Sequence, residues 1–367
     1  MLRKSSNCFK IRLSRIILTG VIAFLSFTLA ACSSSDNDDG AGTGGGSSTQ
    51  ADLLDGTYFM GIFADSSGTG DMWNQINDTE FDGQGSYDNI IEYDSDGDSG
   101  TGSGNYTVDS DGEIAFTTDA DIAGLSSGDG TFFSIIDTNP AEILLGAGVQ
   151  ASSGMTAADL TGNYVAGQVR YDVGGINTAR FQFTFDGAGA VSGTIEADSD
   201  AGAGTALTGT YTVSDDGGLD LTITGLTKDF EGQISSDGEL MVIMDTDNDG
   251  EVLMMVGIKE TTGADESLLS GNYQLNQFGG DNTDNWTTRI EATADGSGQI
   301  AAQILADSGG DLTAPPPFAY TVSADGALAI TGTNDVGIVS ADGSIFIIMD
   351  AVGADDEVTF TIGIKKS

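Results

Sequence analysis

Residues 179–185 read Ala-Arg-Phe-Gln-Phe-Thr-Phe, with three phenylalanines on one side of an alternation and polar side chains on the other. A period of two sends successive side chains to opposite faces of an extended strand, so this segment predicts a β-strand half buried against a core. Asp186-Gly187 then offers a turn, and Val191, Gly193 and Ile195 resume the alternation. Tyr211 and Val213 share a face, as do Leu219, Leu221 and Ile223 after Asp216-Gly217. Asp-Gly supplies the positive-φ positions that tight hairpins require. Beyond the first 31 residues no segment carries a helical period. Runs between turns give about eight short strands in roughly 100 residues.

The same unit occurs three times. Leu-x-Gly-x-Tyr opens each copy, at Leu54–Tyr58, Leu160–Tyr164 and Leu269–Tyr273, with the glycines 106 and 109 residues apart. Tyr-Thr-Val recurs at Tyr106 and Tyr211, and with the same spelling at Tyr320, each followed by an Asp-Gly. A second Asp-Gly comes at Asp129, Asp237 and Asp342. The expected fold is all-β: three tandem antiparallel meander barrels spanning 51–152, 158–260 and 267–367. Closure into a barrel removes exposed sheet edges. A propeller, with two four-stranded blades per unit, is the rival. Its blades would repeat every 40–50 residues or so, and the two halves of a unit do not resemble each other. The last two strands of each unit break the alternation. Residues 240–244 with 252–256, 345–349 with 358–364, and 132–136 with 143–145 are apolar on both faces. Such strands need a cover outside the barrel, either a neighbouring unit or a surface for a partner or lipid.

The first fifty residues have another character. Arg3, Lys4, Lys10, Arg12 and Arg15 precede an apolar run over 16–31, too short for a comfortable membrane span and suited to a signal peptide, 1–31. The run ends in Leu29-Ala30-Ala31-Cys32, which resembles the lipobox of bacterial lipoproteins. That resemblance implies that Cys32 is lipidated and becomes the first mature residue, anchoring the chain to a membrane. Cys8 leaves with the signal, so Cys32 is the one remaining thiol and no mature disulfide can form. The same resemblance implies that Ser33, in place of Asp, favours the outer membrane where the cell has two. Residues 32–50 then form a Gly/Ser/Asp linker without a large apolar residue, a flexible tether. The Leu-x-Gly-x-Tyr openings are similar to the first strand of lipocalins and avidin-like barrels, with Tyr where those have Trp. This implies eight strands per barrel and carries over no ligand residue.

Charge narrows the function. Without the signal, seven Lys and Arg stand against all 56 Asp and Glu, a balance of −49. That field repels nucleic acid and anionic surfaces and attracts cations. Much of the acidity is Asp beside Gly and reads as turn chemistry. The chain has no His, which removes Ser-His-Asp catalysis, imidazole zinc sites and His-ligated haem.

Asp245-Thr246-Asp247-Asn248-Asp249-Gly250 has the D-x-D-x-D-G form of calcium loops. Asp245, Asp247 and Asp249 are therefore candidate calcium ligands. Position twelve of that loop is Val256, and the corresponding stretches at Asp137 and Asp350 do not keep the pattern, so a hairpin tip is the competing reading. Asp94-Ser95-Asp96-Gly97-Asp98 is a second acidic loop. Met241, Met244, Met254 and Met255 read as core filling rather than a thioether metal site. Trp73 and Trp286 could stack on a ligand at a barrel mouth or cover its end. The chain is expected to be a lipid-anchored envelope protein with a binding or structural role and no enzymatic activity, its ligand an apolar molecule, a glycan or a protein. An Asp/Glu-dependent hydrolase, for instance on carbohydrate, is the alternative.

Overall fold

The alternation at 179–185 lies within a strand, Gly175–Asp186, whose three phenylalanines are buried while Thr184 is exposed. The computed structural model describes residues 50–66, 71–117, 119–172, 175–199, 202–224, 228–247, 250–280, 284–350 and 357–367. Among these, 24 strands form three closed barrels: β1–β8 from Asp55 to Gln150, β9–β16 from Thr161 to Lys259, and β17–β24 from Ser270 to Lys365. Each barrel is an antiparallel meander that closes by pairing its first strand with its eighth, Tyr58 opposite Gln150, Tyr164 opposite Lys259 and Tyr273 opposite Lys365. Propeller blades are absent among the described residues. The third strand of each barrel bulges by one residue, Glu92, Glu196 or Leu305, opposite the same place in the second strand, after Ile76, Arg180 and Arg289.

The repeated landmarks seal one end of each barrel. A 3-10 turn at Ala51–Leu53, Ala157–Asp159 or Glu266–Leu268 crosses the opening. Tyr106, Tyr211 and Tyr320 bring their hydroxyls to carbonyls of these turns, Tyr106 to Leu54 at 2.8 Å, Tyr211 to Leu160 at 2.9 Å and Tyr320 to Leu269 at 2.9 Å. The tyrosine of Leu-x-Gly-x-Tyr donates to the glycine of the second Asp-Gly: Tyr58 to Gly130 at 2.6 Å, Tyr164 to Gly238, and Tyr273 to Gly343 at 2.8 Å. Those glycines have φ near +70°, and a Cβ there would strike the backbone of the 3-10 turn. The shared motifs are therefore a plug.

The strands that are apolar on both faces are covered by the neighbouring barrel, and the covering is cyclic. In barrel 1, β1 (Asp55–Asp65) and β2 (Met72–Asp82) lie on β15 (Leu240–Asp245) and β16 (Val252–Lys259) of barrel 2. In barrel 2, β9 (Thr161–Asp172) and β10 (Gly175–Asp186) lie on β23 (Ile345–Asp350) and β24 (Val358–Lys365) of barrel 3. In barrel 3, β17 (Ser270–Gly280) and β18 (Asn285–Asp295) return to β7 (Phe132–Asp137) and β8 (Ile143–Gln150) of barrel 1. A head-to-tail contact that closes after three steps makes a ring, here within one polypeptide. One continuous apolar cluster, including Phe63, Met244, Phe278 and Phe360, draws on all three barrels. Each barrel has its own interior cluster as well. The four methionines divide between the two kinds, Met244 and Met254 in the shared cluster, Met241 and Met255 inside barrel 2.

The third junction differs from the other two. Gly61 faces Val242 and Met244, and Gly167 faces Ile347, Met349 and Phe360, with no room for a Cβ. Asn276 holds the matching position in β17 and donates to Ser134 Oγ at 3.1 Å, while Ser134 donates to the Gly146 carbonyl at 3.0 Å. All of this is buried. A satisfied polar pair at one junction and close glycine contacts at the others make the three interfaces non-interchangeable.

Candidate functional site

Each junction is fastened at one rim by the same contact. The residue at the start of the second strand donates to the carbonyl of the aspartate that ends the seventh strand of the next barrel. These are Asn74 to Asp245 at 2.8 Å, Thr178 to Asp350, and Thr287 to Asp137 at 2.6 Å. Beside each lies a hairpin loop, and the loops have diverged.

Between barrels 1 and 2 the loop is the D-x-D segment. Asp245 is fully buried at the end of β15, and Asp247 lies beside it. Lys228, from the preceding loop, places Nζ 3.0 Å from Asp245 Oδ2, 3.5 Å from Asp247 Oδ1 and 3.1 Å from Glu251 Oε2. Barrel 1 adds a hydrogen bond from Tyr93 to the Asp247 carbonyl at 2.9 Å. Burial pushes the Asp245 carboxyl up to about 6, against the pull of the Lys228 ammonium. The convergent carboxylates hold a cation supplied by the chain itself. Asp249 lies outside the described residues, as do Cys32 and Ser33. At the second acidic loop Asp94 Oδ1 accepts from the Asp96 amide at 2.8 Å, and Ser95 Oγ accepts from the Asn74 amide at 3.1 Å. Asp94 thus serves the turn.

Turn chemistry accounts for many other aspartates. Asp82, Asp186 and Asp295 each accept two backbone amides of the following loop at 2.7–3.0 Å, which holds their carboxyls below the usual range.

Between barrels 3 and 1 the junction opens into a cleft of about 550 Å³. Pro140, Ile143 and Trp286 give it apolar walls, while Asp284, Asp307, Asp311 and Glu357 make it acidic. Trp286 is packed over Gly279, where a Cβ would lie 2.6 Å from the indole. Asn285 donates to the buried Asp65 carboxylate at 2.7 Å, and Thr288 to Asp307 at 2.7 Å, which fixes the β18 side of the cleft. On the barrel 1 side, burial pushes the Asp137 carboxyl up to about 7, with Asp119, Asp121 and Glu142 adding to the rise. Ile122 and Phe230 open corresponding strands, so Ala120, between Asp119 and Asp121, stands where barrel 2 has Lys228. This junction lacks the built-in lysine and carries more acid. The two tryptophans hold matching positions, yet Trp73 turns into the core of barrel 1 and Trp286 lines the cleft.

Lys228, Asp137 and the cleft were not legible from sequence motifs, because each depends on loops from different hairpins meeting at a junction. Their signal was divergence between copies: a lysine in one loop and two aspartates in its counterpart.

No protein-family model matches the chain, and no curated protein matches it. Among solved structures the chain is similar to transferrin binding protein B from serogroup B Neisseria meningitidis, at 10% identity and a TM-score of 0.28, covering 80% of this chain and 66% of that one. A double mutant of transferrin binding protein B from Haemophilus parasuis gives 8% identity and a TM-score of 0.29 over 84% and 75% of the two chains. A protein of unknown function from Nostoc punctiforme gives 11% and 0.22 over 57% and 96%. At these TM-scores the likeness carries no argument about function. The strand pairing itself defines the class: an all-β ring of three closed eight-stranded barrels in one chain.

Proposed function

We propose that the chain is a cell-envelope lipoprotein, anchored through a lipid on Cys32, that binds a cationic ligand with an apolar body in the cleft between barrels 3 and 1. The observation that carries this reading is the contrast between junctions. Where barrels 1 and 2 enclose the ammonium of Lys228, barrels 3 and 1 offer carboxylates and an indole around open space. A cleft of this size suits a small ligand or a protruding side chain, and a cation over an indole gains both Coulombic and cation–π attraction. The net charge would draw such a ligand in, more strongly at low salt. The lipobox resemblance and the 32–50 linker support an anchored position, with Ser33 favouring the outer membrane.

Two measurements test the reading. Metabolic labelling with a fatty acid should mark the wild-type chain and not Cys32→Ser; equal labelling would remove the anchor. Calorimetric titration with benzyltrimethylammonium should show saturable binding that weakens at least fivefold in Trp286→Ala and in Asp311→Asn. A flat titration, or one unchanged by both substitutions, would remove the cleft as the site.

A further inference from the structure

A second feature lies inside barrel 1 and owes nothing to the cleft. Along β2 the residues Trp73, Gln75, Asn77, Thr79 and Phe81 share the inward face, while Asn74, Ile76, Asp78 and Glu80 point outward. On β3 (Ser86–Asp94) Asn89 pairs directly with Thr79 and Ile91 with Asn77, so Asn89 also faces inward. The next strand, β4 (Gly100–Val108), sets Gly100 opposite Ile91, Gly102 opposite Asn89 and Gly104 opposite Tyr87. Alternate residues of this strand are thus glycine: a Cβ on Gly100, at the exposed end, would meet nothing within 4 Å, while one on Gly104 would lie 2.8 Å from the Tyr87 ring.

Asn77, Thr79 and Asn89 are each 1–2% exposed. Asn77 Oδ1, Thr79 Oγ1 and both amide atoms of Asn89 have no hydrogen-bond partner within the protein. Each such group left dry costs about 1–3 kcal/mol. The barrel does not require them. At the corresponding places barrel 2 has Phe181, Phe183 and Gly193, the two rings stacked at 5.5 Å, with Leu207 where barrel 1 has Gly102. Barrel 3 has Ile290, Ala292 and Ala302. Neither sister barrel puts a polar side chain in this layer, whereas barrel 1 has two amides and a hydroxyl there.

We propose that the interior of barrel 1 is a binding chamber for one small, uncharged, hydroxyl-rich molecule of the monosaccharide class. Its floor is the aromatic cluster of Tyr58, Phe81, Tyr106 and Phe133, packed edge to face over the sealed end. Asn89 offers both a donor and an acceptor, Thr79 a hydroxyl and Asn77 an acceptor, a set that matches hydroxyls able to do both. These side chains carry no charge, so an ion would find no counter-charge there. Met60, Ile62 and Trp73, on the same inner surface, suit the apolar face of a sugar ring. An eight-stranded barrel is just wide enough for one small ligand when its side chains do not fill it.

Calorimetric titration of the full chain with N-acetylglucosamine and with glucose tests this. At least one is expected to bind saturably in the millimolar range or tighter. Asn77→Ile/Thr79→Ala/Asn89→Ala installs the residues that barrel 3 carries and should weaken binding at least tenfold. Asn89→Ala alone, a milder change, should weaken it at least fivefold with a melting temperature no lower than that of the wild-type chain, since it removes two unpaired buried groups. Absence of saturable binding by either sugar, binding unchanged in Asn89→Ala, or a crystal structure grown with the sugar in which Asn77, Thr79 and Asn89 contact ordered water alone would overturn the assignment.

Discussion

Replacing Lys228 by Met keeps most of the apolar stem and removes the ammonium that Asp245, Asp247 and Glu251 enclose. Glu251 is 42% exposed and contributes little, because water and salt screen it. Asp245 decides the outcome, since its side chain is fully buried. Its carboxyl already titrates near 6 rather than at the ordinary 3.8, with burial as the first cause and Lys228 pulling the value back down. Without Lys228 the value rises further, and the folded state can always escape by protonating the carboxyl. That escape sets a ceiling. At pH 8, two units above 6, it costs about 2.7 kcal/mol at 1.36 kcal/mol per unit, and at pH 6 it costs less than about 0.5 kcal/mol. The sign follows from the raised folded-state value: the folded carboxyl holds its proton more tightly than the unfolded one, so stability falls as pH rises through the window. Lys228→Met is therefore expected to lose up to about 2.7 kcal/mol at pH 8 and little at pH 6. Urea denaturation at the two pH values and matched ionic strength reads this directly, and an equal loss at both would refute it.

The same proteins address calcium. If Asp245, Asp247 and Asp249 ligate calcium, the ion adds an increment of order RT ln(1 + [L]/Kd), about 2.7 kcal/mol at a hundredfold excess over Kd. With Lys228 among these carboxylates, sodium chloride at matched ionic strength is expected to raise the wild-type melting temperature nearly as much as calcium. A calcium-only increase that vanishes in Asp247→Asn would show the opposite.

Asp137→Asn should stabilise the fold at pH 8, by at most about 4 kcal/mol for a carboxyl lifted to about 7, and the gain should vanish near pH 4; a gain independent of pH in urea denaturation would count against burial of the charge as the cause. Gly167→Asn should cost about 1–3 kcal/mol, since a Cβ there would lie 2.8 Å from the Phe360 ring. Adding Ile347→Ser copies the Asn276–Ser134 pair into the second junction and should restore part of the loss; a double mutant no better than the single one in thermal melts would deny that the pair is what fits Asn276.

The barrels were legible because their causes are local. The period of two at 179–185, the Asp-Gly turns and the recurring tyrosines act within one hairpin or one unit, and the structure uses each as its type suggests. The ring was not legible, because strands such as 240–244 and 345–349 are apolar on both faces and nothing in one strand says which neighbour covers it. The positions that orient the ring differ between copies: Gly61 and Gly167 against Asn276, and Val242 and Ile347 against Ser134. The candidate sites lie in the same category. Lys228 faces Ala120 in the alignment of copies, and Phe181 and Phe183 face Asn77 and Thr79. Three copies of one barrel need only the plug, the turns and the apolar bands to be alike. A residue that satisfies those needs in two copies and is exchanged in the third is free of the fold's demand, and the polar exchanges at Asn77, Thr79 and Asn89 even work against it. Such a cost is retained in a core where something besides folding depends on it, which is why the interior of barrel 1, beside the cleft between barrels 3 and 1, is a second place in this chain to look for a ligand.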